Sequence, residues 1–479
     1  MLFKQPKGLV LLFFTELWER FGYYTLQTVF VLYVSHALHF SDEKAYLLLG
    51  AFSALQYITP VIGGHLADFY LGFQRTILIG GSLLALGYLI LVLPQLKFFL
   101  FGLCILILGN GFFKPNVSSI VGTLYGKDDP KRDSGFTLFY MGINIGSLIP
   151  PLFLGPLVKS YGWGSAFLLA TLGMLISTIL FWWGRKYLKG RGDIPEHSFL
   201  HDKQKRAQFN MLLGFGLLIT IFICALFLHL ASYSNILLII ASILIVLWIL
   251  RIILCLEGRE QQRMLVALIL VVISIGFWAI YVQSWSSLML FADRNMSHNF
   301  IGLNIDAEFT QAFNPFFIIV LSPLLSLLWP RLYKSGLNPS YPLKFALAIF
   351  AMGAGFLLLA VGIKWFSHNG LSSPWWLVWS YFLQTLGELV LSPIGLAMIT
   401  VLTPQKYVGM MMGIWFLALS AAFAVGSELA TIADVPKQAS ILVSQHIYTK
   451  AFFDFAYLGF ALSLIVLIIT PKLKRMLTL

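Results

Sequence analysis

Long apolar segments recur along the whole of this 479-residue chain, and they constrain its fold more than any other feature. Each run holds roughly 20 residues, the length that an α-helix needs to cross the hydrocarbon core of a bilayer. Hydrophobic residues make up 59% of the chain and charged residues only 11%, a balance that excludes a soluble globular protein. The sequence therefore predicts an all-α polytopic membrane protein.

These segments predict about fourteen transmembrane helices. The longest basic loop, residues 185–206, follows the sixth of them. We therefore predict an N-terminal six-helix bundle at 1–190, a basic cytoplasmic loop with an inserted helix pair at 191–262, and a C-terminal six-helix bundle at 263–479. Two such bundles are typical of transporters that rock around a site near the bilayer midplane. The predicted helices are 9–35, 45–69, 76–94, 97–122, 134–157, 163–187, 208–230, 234–256, 263–292, 309–331, 342–365, 375–402, 408–432 and 449–470.

The basic balance of the chain indicates topology rather than binding to nucleic acid. The net charge is +12, and most lysine and arginine residues fall in the loops on the side of the N-terminus. Because basic loops stay in the cytoplasm, we expect both termini on that side of the plasma membrane. The three cysteines, Cys104, Cys224 and Cys255, lie in apolar runs, so we expect packing residues and neither a disulfide framework nor a metal site.

The first apolar segment carries three ionisable residues, Glu16, Glu19 and Arg20. Charged groups at membrane depth are costly, so they indicate an ion or substrate path. Glu16 and Arg20 are four residues apart and share a helix face, with Glu19 beside them. Such a cluster can hold a proton or bind an anion by changing its internal pairing. The alternative is an inert salt bridge, but two acids for one base make a poor lock.

Two further charges lie inside predicted helices, Lys114 in the fourth and Glu388 in helix 375–402, which is the tenth when the inserted pair is not counted. One charge falls in each six-helix half, and a lysine at that depth needs an acidic partner or an anionic ligand. An ion pair of Lys114 with Glu388 could close a gate, and a zwitterion such as a peptide could break it. The alternatives are a snorkelling lysine and a buried lock without a ligand role.

Uncharged polar and aromatic residues also fall within the predicted helices. They offer hydrogen bonds and aromatic walls without net charge, as a pocket for varied side chains requires. Any one of them alone could instead join two helices. At the outer end of helix 263–292, the seventh when the inserted pair is not counted, Asp293 and Arg294 are predicted to be a solvated surface pair rather than a gate. The polar and aromatic set is Tyr57, Tyr140, Asn144, Gln283, Gln311, Asn314, Trp415 and Phe416.

The loop after the second helix, from Gly64 to Arg75, follows the pattern G-xxx-D-xxx-G-xx-R. This pattern resembles the loop motif of the major facilitator superfamily, and the resemblance implies that fold. We expect the loop to act as a cytoplasmic hinge, because its glycines permit a tight turn and a close approach of helices.

Several segments together resemble the proton-dependent oligopeptide transporter family. Glu16 to Tyr24 is similar to its E-x-x-E-R-F-x-Y-Y motif, and Phe139 to Ser147 to its F-Y-x-x-I-N-x-G-S signature. Gly387 to Leu396 and Met411 to Leu417 resemble its tenth and eleventh helices. The inserted helix pair is similar to that of prokaryotic members, which implies the bacterial cytoplasmic membrane.

The resemblance implies a role for each matching residue. Proton coupling would involve Glu16, Glu19, Arg20 and Glu388. The peptide carboxylate would bind Arg20 and Lys114, with Tyr23, Tyr24 and Tyr57. The amino group would be held by Glu388, Asn314 and Asn144, and the side-chain space would be lined by Ser392 and Trp415. Lys114 and Glu388 would also form a salt bridge between the two bundles.

Two positions depart from the family. Its seventh helix usually reads F-W-A-x-F-E-Q, with a glutamate thought to carry a proton, whereas Phe277 to Gln283 places Val282 there. Coupling would then rest on the first-helix acids, Glu388 or Asp293, or the proton stoichiometry would differ. Animal members have a histidine in the second helix, and Gly50 occupies that place here. A histidine-based proton switch is therefore not expected.

The leading hypothesis is a proton-coupled symporter that imports di- and tripeptides by alternating access. The first alternative is a related transporter of another small anion or zwitterion, such as nitrate, a modified amino acid or a peptide-like compound. The second is a membrane receptor or enzyme, for which the sequence offers no catalytic grouping or phosphate-binding loop. We expect no cofactor apart from the coupling proton, no metal and no enzymatic activity. The expected partners are peptides, protons and the lipid bilayer, and we expect the protein to work as a monomer.

Overall fold

The structure is a computed structural model that describes residues 5–126, 131–195, 198–404 and 407–478. This part of the chain is almost entirely helical, and thirteen of its helices are long and apolar enough to cross a membrane. Helix α1, Lys7–Leu32, has a similar length of 26 residues. It differs from the thirteen because three charged residues lie at its middle. The predicted fold class, an all-α protein with about fourteen crossings, is confirmed.

The first seven helices are α1 Lys7–Leu32, α2 Asp42–Leu66, α3 Phe73–Leu91, α4 Leu96–Thr123, α5 Arg132–Leu148, α6 Leu154–Tyr161 and α7 Trp163–Gly184. The inserted pair is α8 Lys203–His229 and α9 Ala231–Leu254. The remaining helices are α10 Gly258–Tyr281, α11 Ser287–Asn295, α12 Phe313–Lys334, α13 Tyr341–Phe366, α14 Pro374–Leu402, α15 Val408–Ala430 and α16 Ile441–Thr478. A two-residue hairpin pairs β1, Asn299–Phe300, with β2, Leu303–Asn304.

Two predicted helices are interrupted. The predicted 134–157 segment is divided by a 3₁₀ turn, Pro150–Leu152, because two successive prolines lack the N–H groups that continue an α-helix. The predicted 263–292 segment ends as α10 at Tyr281, passes through the 3₁₀ turn Val282–Trp285 and resumes as α11. The chain therefore changes its hydrogen-bonding pattern at the position where the family motif has its glutamate.

Residue contacts divide the chain into unit 1, residues 1–39 and 55–231, and unit 2, residues 40–54 and 232–479. The inserted pair is shared, since α8 belongs to unit 1 and α9 to unit 2. Helix α2 is shared as well, because its first turns belong to unit 2 and its remainder to unit 1. The predicted three-part division into 1–190, 191–262 and 263–479 stays a prediction.

Unit 1 is built on close helix contacts at glycines. A Cβ at Gly109 would lie 2.8 Å from Leu84 of α3, and one at Gly111 would lie 2.8 Å from Thr59 of α2. Both glycines precede Lys114 on α4, which continues unbroken through Pro115. The glycines around Lys114 therefore serve close packing of α4 against α2 and α3.

The loop with the superfamily motif is anchored by the start of the basic loop. Gly72 has φ +75°, and a Cβ there would overlap the carbonyl group of Asp193. The N–H of Gln74 donates to Gly192 O at 2.9 Å, and the side chain of Gln74 donates to Arg191 O at 2.8 Å. Only glycine fits at this turn, because both the backbone conformation and the space exclude a side chain.

In unit 2, a buried amide links helix α9 to α2 and α15. Nδ2 of Asn235 donates to Leu47 O at 3.2 Å and to Ser427 Oγ at 3.1 Å, and the residue is fully buried. A Cβ at Gly50, one turn after Leu47, would overlap the side chain of Ser427. The start of α2, α9 and α15 therefore meet at a point where there is no room for a larger residue at position 50.

Candidate functional residues of the two units

The ionisable cluster of α1 is buried in unit 1. Glu16, Glu19 and Arg20 are 5%, 2% and 4% exposed. Arg20 binds Glu19 with two groups: Nε forms one contact, and Nη2 donates to Oε1 at 2.6 Å. Its Nε lies 3.4 Å from Oε1 of Glu16. The stronger pair is therefore with the neighbouring residue and not with the one four positions earlier, because two donors of one guanidinium meet two oxygens of one carboxylate.

Aromatic rings lie beside both cations of unit 1. The guanidinium of Arg20 lies 4.6 Å from the ring centroid of Tyr23, and Tyr24 packs edge-on against Tyr23 at 5.1 Å. Nζ of Lys114 lies 4.5 Å from the ring centroid of Tyr57. Cations are attracted to ring faces, most strongly where water is excluded.

Lys114 also interacts electrostatically with the α1 cluster. The charges of Glu16, Glu19 and Arg20 are all close enough to interact with the ammonium group of Lys114. Unit 1 thus brings together the residues that were predicted to bind a peptide carboxylate: Arg20, Tyr23, Tyr24, Tyr57 and Lys114.

The two glycines of the signature on α5, Gly142 and Gly146, lie where this helix packs against α1. A Cβ at Gly142 would lie 3.0 Å from Phe13. A Cβ at Gly146 would overlap the carbonyl group of Leu17 and lie 3.1 Å from Cβ of Arg20. The two glycines are four residues apart and therefore face α1 together. They let α5 pack against α1 at the level of the charged cluster.

Asn144, on the same helix, donates from Nδ2 to Tyr140 O at 2.9 Å. Its side-chain amide is thus engaged within α5. Its predicted part in holding a peptide amino group stays a prediction.

Unit 2 contains the second charged cluster. Nδ2 of Asn314 on α12 donates to Oε2 of Glu388 at 2.7 Å and to Oγ1 of Thr385 at 3.0 Å. Tyr281, the last residue of α10, also forms a hydrogen bond with Glu388. The carboxylate of Glu388 is therefore held by an amide and a phenol. The predicted salt bridge of Glu388 with Lys114 joins the two units and stays a prediction.

Ser392 and Trp415 were predicted to line the side-chain space. Ser392 is part-buried and lies four residues after Glu388, on the same face of α14. Trp415 is only 3% exposed, and its ring occupies the space beside Gly395 of α14. Their contact with a substrate stays a prediction.

Two of the predicted polar residues hold helices together. Gln283 donates to Gly426 O at 2.8 Å and accepts from Ser287 Oγ at 2.8 Å. Gln311 donates to Ser284 O at 2.6 Å. For these two residues the structure supports the alternative of a helix–helix hydrogen bond.

The prediction that Asp293 and Arg294 form a solvated surface pair is wrong. Nη1 and Nη2 of Arg294 donate to the two carboxylate oxygens of Asp42 at 2.5 and 2.8 Å. Nη1 also lies 3.3 Å from the hydroxyl group of Tyr448. The side chain of Arg294 is only 24% exposed and that of Asp42 3%. A two-donor, two-acceptor pair with so little exposure is largely removed from water.

Asp42 was missed because helix two was predicted to begin at residue 45. The signal was present in Ser41-Asp42-Glu43, since a serine followed by acids is typical of a helix start. Oγ of Ser41 does accept from the N–H of Lys44, at 3.3 Å. Oδ2 of Asp42 also accepts from the N–H of Val435, at 3.4 Å.

Comparison with known proteins identifies the family. Residues 74–450 match the sequence model of the POT family. The chain belongs to the POT family. It is 37% identical to dipeptide and tripeptide permease B of Salmonella typhimurium over 99% of this chain and 97% of that protein. It is also 37% identical to dipeptide and tripeptide permease A of Erwinia pyrifoliae, over 99% of this chain and 95% of that one.

Solved structures of POT family transporters share the fold. A peptide transporter POT in complex with sulfate aligns with a TM-score of 0.86 and 32% identity, over 98% of this chain and 96% of that one. The tetrameric PepTSo2 aligns with a TM-score of 0.84 and 30% identity, over 98% and 99%. These matches confirm the resemblance and the major facilitator superfamily fold. They also make the chain an integral membrane protein whose relatives are bacterial permeases.

The structure gives a packing reason for both departures from the POT family motifs. Val282 is 1% exposed, and a Cβ added at Gly426 of α15 would lie only 2.9 Å from the Cβ of Val282. Gly50 is in contact with Ser427, the next residue of α15. The same segment of α15 therefore packs against both positions. Val282 makes an apolar contact with it, and at position 50 it leaves no room for a side chain.

Proposed function

We propose that this POT family member imports di- and tripeptides together with protons by alternating access. The observation that carries the proposal is a pair of clusters of opposite character, one around the buried Arg20 and the part-buried Lys114 and the other around the part-buried Glu388. Unit 1 holds Arg20 and Lys114 against aromatic faces, and unit 2 holds Glu388 between hydrogen-bond donors. A peptide zwitterion carries the two complementary charges. Relatives 37% identical over nearly the full length are dipeptide and tripeptide permeases.

Peptide ends are recognised by these charges. Arg20 and Lys114 bind the carboxylate, since a guanidinium can pair with it through two hydrogen bonds. Glu388 binds the amino group, and Asn314 orients the carboxylate of Glu388 for that contact. The peptide side chains face the polar and aromatic residues that include Ser392 and Trp415.

Proton coupling follows from competition for Arg20. In the structure the guanidinium is bound to Glu19. When a peptide carboxylate takes Arg20, Glu19 loses its partner, and an unpaired buried charge is strongly destabilising. A proton on the released acid removes that charge. Peptide and proton therefore enter together, with Glu16 as a second acid beside Arg20.

We further propose that both termini are cytoplasmic, that no cofactor other than the proton takes part, and that a monomer transports. The basic loops on the N-terminal side support the orientation. One chain supplies every residue named for binding and coupling, which supports a monomeric path. Transport rather than enzymatic turnover is supported by the permease relatives.

The test is uptake of radiolabelled dialanine into proteoliposomes under an inward proton gradient, with and without an uncoupler. We expect concentrative uptake that the uncoupler abolishes, with intact dialanine recovered from the lumen. Hydrolysed product would instead favour an enzyme. Absence of uptake by folded protein would favour another anion or zwitterion, with Val282 as the leading clue, and competition by nitrate and modified amino acids would then identify it.

A further inference from the structure

A groove opens on unit 1 between the start of α1 and the end of α7, and neither charged cluster contributes to it. Its cavity volume is about 520 Å³. Leu11 and Gly184 lie in its lining, and a Cβ at Gly184 would overlap Leu11. The two helices therefore approach closely here because Gly184 has no side chain.

The rim of the groove is basic. Lys7 is the first residue of α1, and Lys186 lies in the 3₁₀ turn Arg185–Leu188 that follows α7. Nζ of Lys7 lies 5.8 Å and Nζ of Lys186 lies 5.4 Å from the ring centroid of Tyr187. Among the residues that the structure describes, no acidic side chain lines this groove. Two exposed ammonium groups therefore lie near the same aromatic ring.

Below this rim the groove is apolar. Val10 and Phe14 line it from α1, and Leu180 and Trp183 line it from α7. With a rise of 1.5 Å per residue, Phe14 lies about 10 Å beyond Lys7 along the helix axis. Trp183 is 66% exposed, and tryptophan is enriched where headgroups meet hydrocarbon. The groove thus changes from cationic to apolar over the depth at which a phospholipid changes from headgroup to acyl chain.

We propose that this groove binds an anionic glycerophospholipid of the surrounding leaflet. Its phosphate lies between Lys7 and Lys186, and one acyl chain lies along Val10, Phe14 and Leu180. Basic pockets between transmembrane helices bind anionic headgroups in this way. Val10 and Phe14 face hydrocarbon in the membrane, so an acyl chain is the natural occupant of the lower part.

The same lysines could attract free phosphate, but the groove favours a lipid. Exposed lysines bind a small anion weakly, because water and salt screen them. A tethered acyl chain adds apolar contact that a soluble phosphate lacks. The two sources therefore differ in a measurable way: only a lipid uses the apolar walls.

The experiment measures lipid retention on the purified full chain by native mass spectrometry, with phosphatidylglycerol and phosphatidylethanolamine titrated in turn. The first variant is K7Q/K186Q. Its matched control is K205Q/K472Q, which removes two exposed lysines on the same predicted membrane face and outside the groove. A third variant, Val10→Trp, fills the apolar part and leaves both lysines. Glycerol 3-phosphate is added as the soluble headgroup.

We expect wild type and K205Q/K472Q to retain phosphatidylglycerol over phosphatidylethanolamine. Each lysine near an anionic headgroup contributes about fivefold, so K7Q/K186Q should lose about 25-fold in affinity. Val10→Trp should also weaken retention, and glycerol 3-phosphate should not displace the lipid. Equal retention of both lipids by wild type, or equal losses in the two double variants, would overturn the proposal. Displacement by glycerol 3-phosphate, or full retention by Val10→Trp, would show a phosphate site instead. Dialanine uptake by K7Q/K186Q checks folding, since neither lysine has a role in binding peptide.

Discussion

Arg20 has two carboxylates within reach and binds them unequally. Glu19 receives two contacts from the guanidinium, whereas Glu16 lies 3.4 Å from Nε. We expect this inequality to give the two acids different parts in the proposed coupling. Glu19 has more contacts with Arg20 to lose than Glu16 when a peptide competes for the guanidinium.

Glu19→Gln is therefore expected to abolish gradient-driven accumulation while peptide exchange continues. The amide has the shape of glutamate but cannot take up the proton, and Glu16 remains beside Arg20 to balance its charge. Accumulation and counterflow of labelled dialanine measure the two activities in the same proteoliposomes. Glu260→Gln, at an exposed acid in the first turn of α10, is the control. Normal accumulation by Glu19→Gln would remove Glu19 from coupling.

Glu388→Ala is expected to weaken the binding of peptides with a free amino group far more than the binding of N-acetylated peptides. Loss of one partner of a buried charge pair costs about 2 kcal/mol or more, about 30-fold in affinity. Competition against labelled dialanine gives both affinities. Thr385→Val is the matched control, because it removes the other acceptor of Asn314 and keeps Glu388. Equal losses for both kinds of peptide would show that Glu388 has a structural role only.

Among the elements, α9 shows how an inserted helix is attached to a transporter. Its lipid-facing residues are apolar and nonspecific, so specificity comes from polar contacts such as those of Asn235 with Leu47 and Ser427. Hydrogen bonds between membrane helices contribute modestly, about 1 kcal/mol each. The attachment therefore adds stability and leaves the charged clusters untouched.

Asn235→Ala is expected to lower the thermal unfolding midpoint in detergent, because it removes two hydrogen bonds worth about 1 kcal/mol each. The KM for dialanine should stay within about twofold, since neither bond involves a residue named for binding peptide. The matched control is Ser242→Ala on the same helix, because its hydroxyl donates to Leu238 O within α9. If the two variants had the same midpoint, Asn235 would not be what attaches α9.

Gly50→Ala is expected to destabilise the protein, because a Cβ at position 50 would overlap Ser427. Overpacking of this kind costs about 1–3 kcal/mol. The unfolding midpoint should fall in Gly50→Ala and recover in part in the double variant with Ser427→Gly. A midpoint unchanged by Gly50→Ala would mean that α2 and α15 separate easily at this point.

At the scale of the whole molecule, the positions of the ionisable residues limit which groups can couple peptide transport to the proton gradient. The position that carries a glutamate in the POT family motif is Val282 here, buried against α15. In the proposed mechanism, the event that takes up a proton is the release of Glu19 from Arg20. We therefore expect one proton for each neutral dipeptide.

This stoichiometry predicts the pH dependence of accumulation. Each pH unit is worth about 1.4 kcal/mol per proton, so an inward gradient of one unit should raise the dialanine accumulation ratio about tenfold. Accumulation should increase as the outside becomes more acidic than the inside and vanish when the two sides are equal. The measurement is made with the membrane potential clamped at zero. A ratio near a hundredfold per unit would require a second proton site.

Much of this protein was predictable because its information is local. Twenty-residue apolar runs specify crossings by themselves, and contiguous motifs such as Glu16 to Tyr24 carry the family resemblance. The same locality explains the errors. The helix start at Asp42 was placed too late, and the break at Val282 was missed because the apolar residues on both sides of the 3₁₀ turn Val282–Trp285 fit one continuous helix.

The partners of the charged residues were decided by tertiary structure alone. Arg294 pairs with Asp42, 252 positions away in the sequence, and Gly50 meets Ser427. The basic rim at Lys7 and Lys186 likewise exists only because α1 and α7 pack side by side. Sequence periodicity determined which segments cross the membrane and which faces are apolar. Which distant residues then meet depends on the path of the whole chain, because helices in lipid associate through close packing and polar contacts rather than through general hydrophobicity.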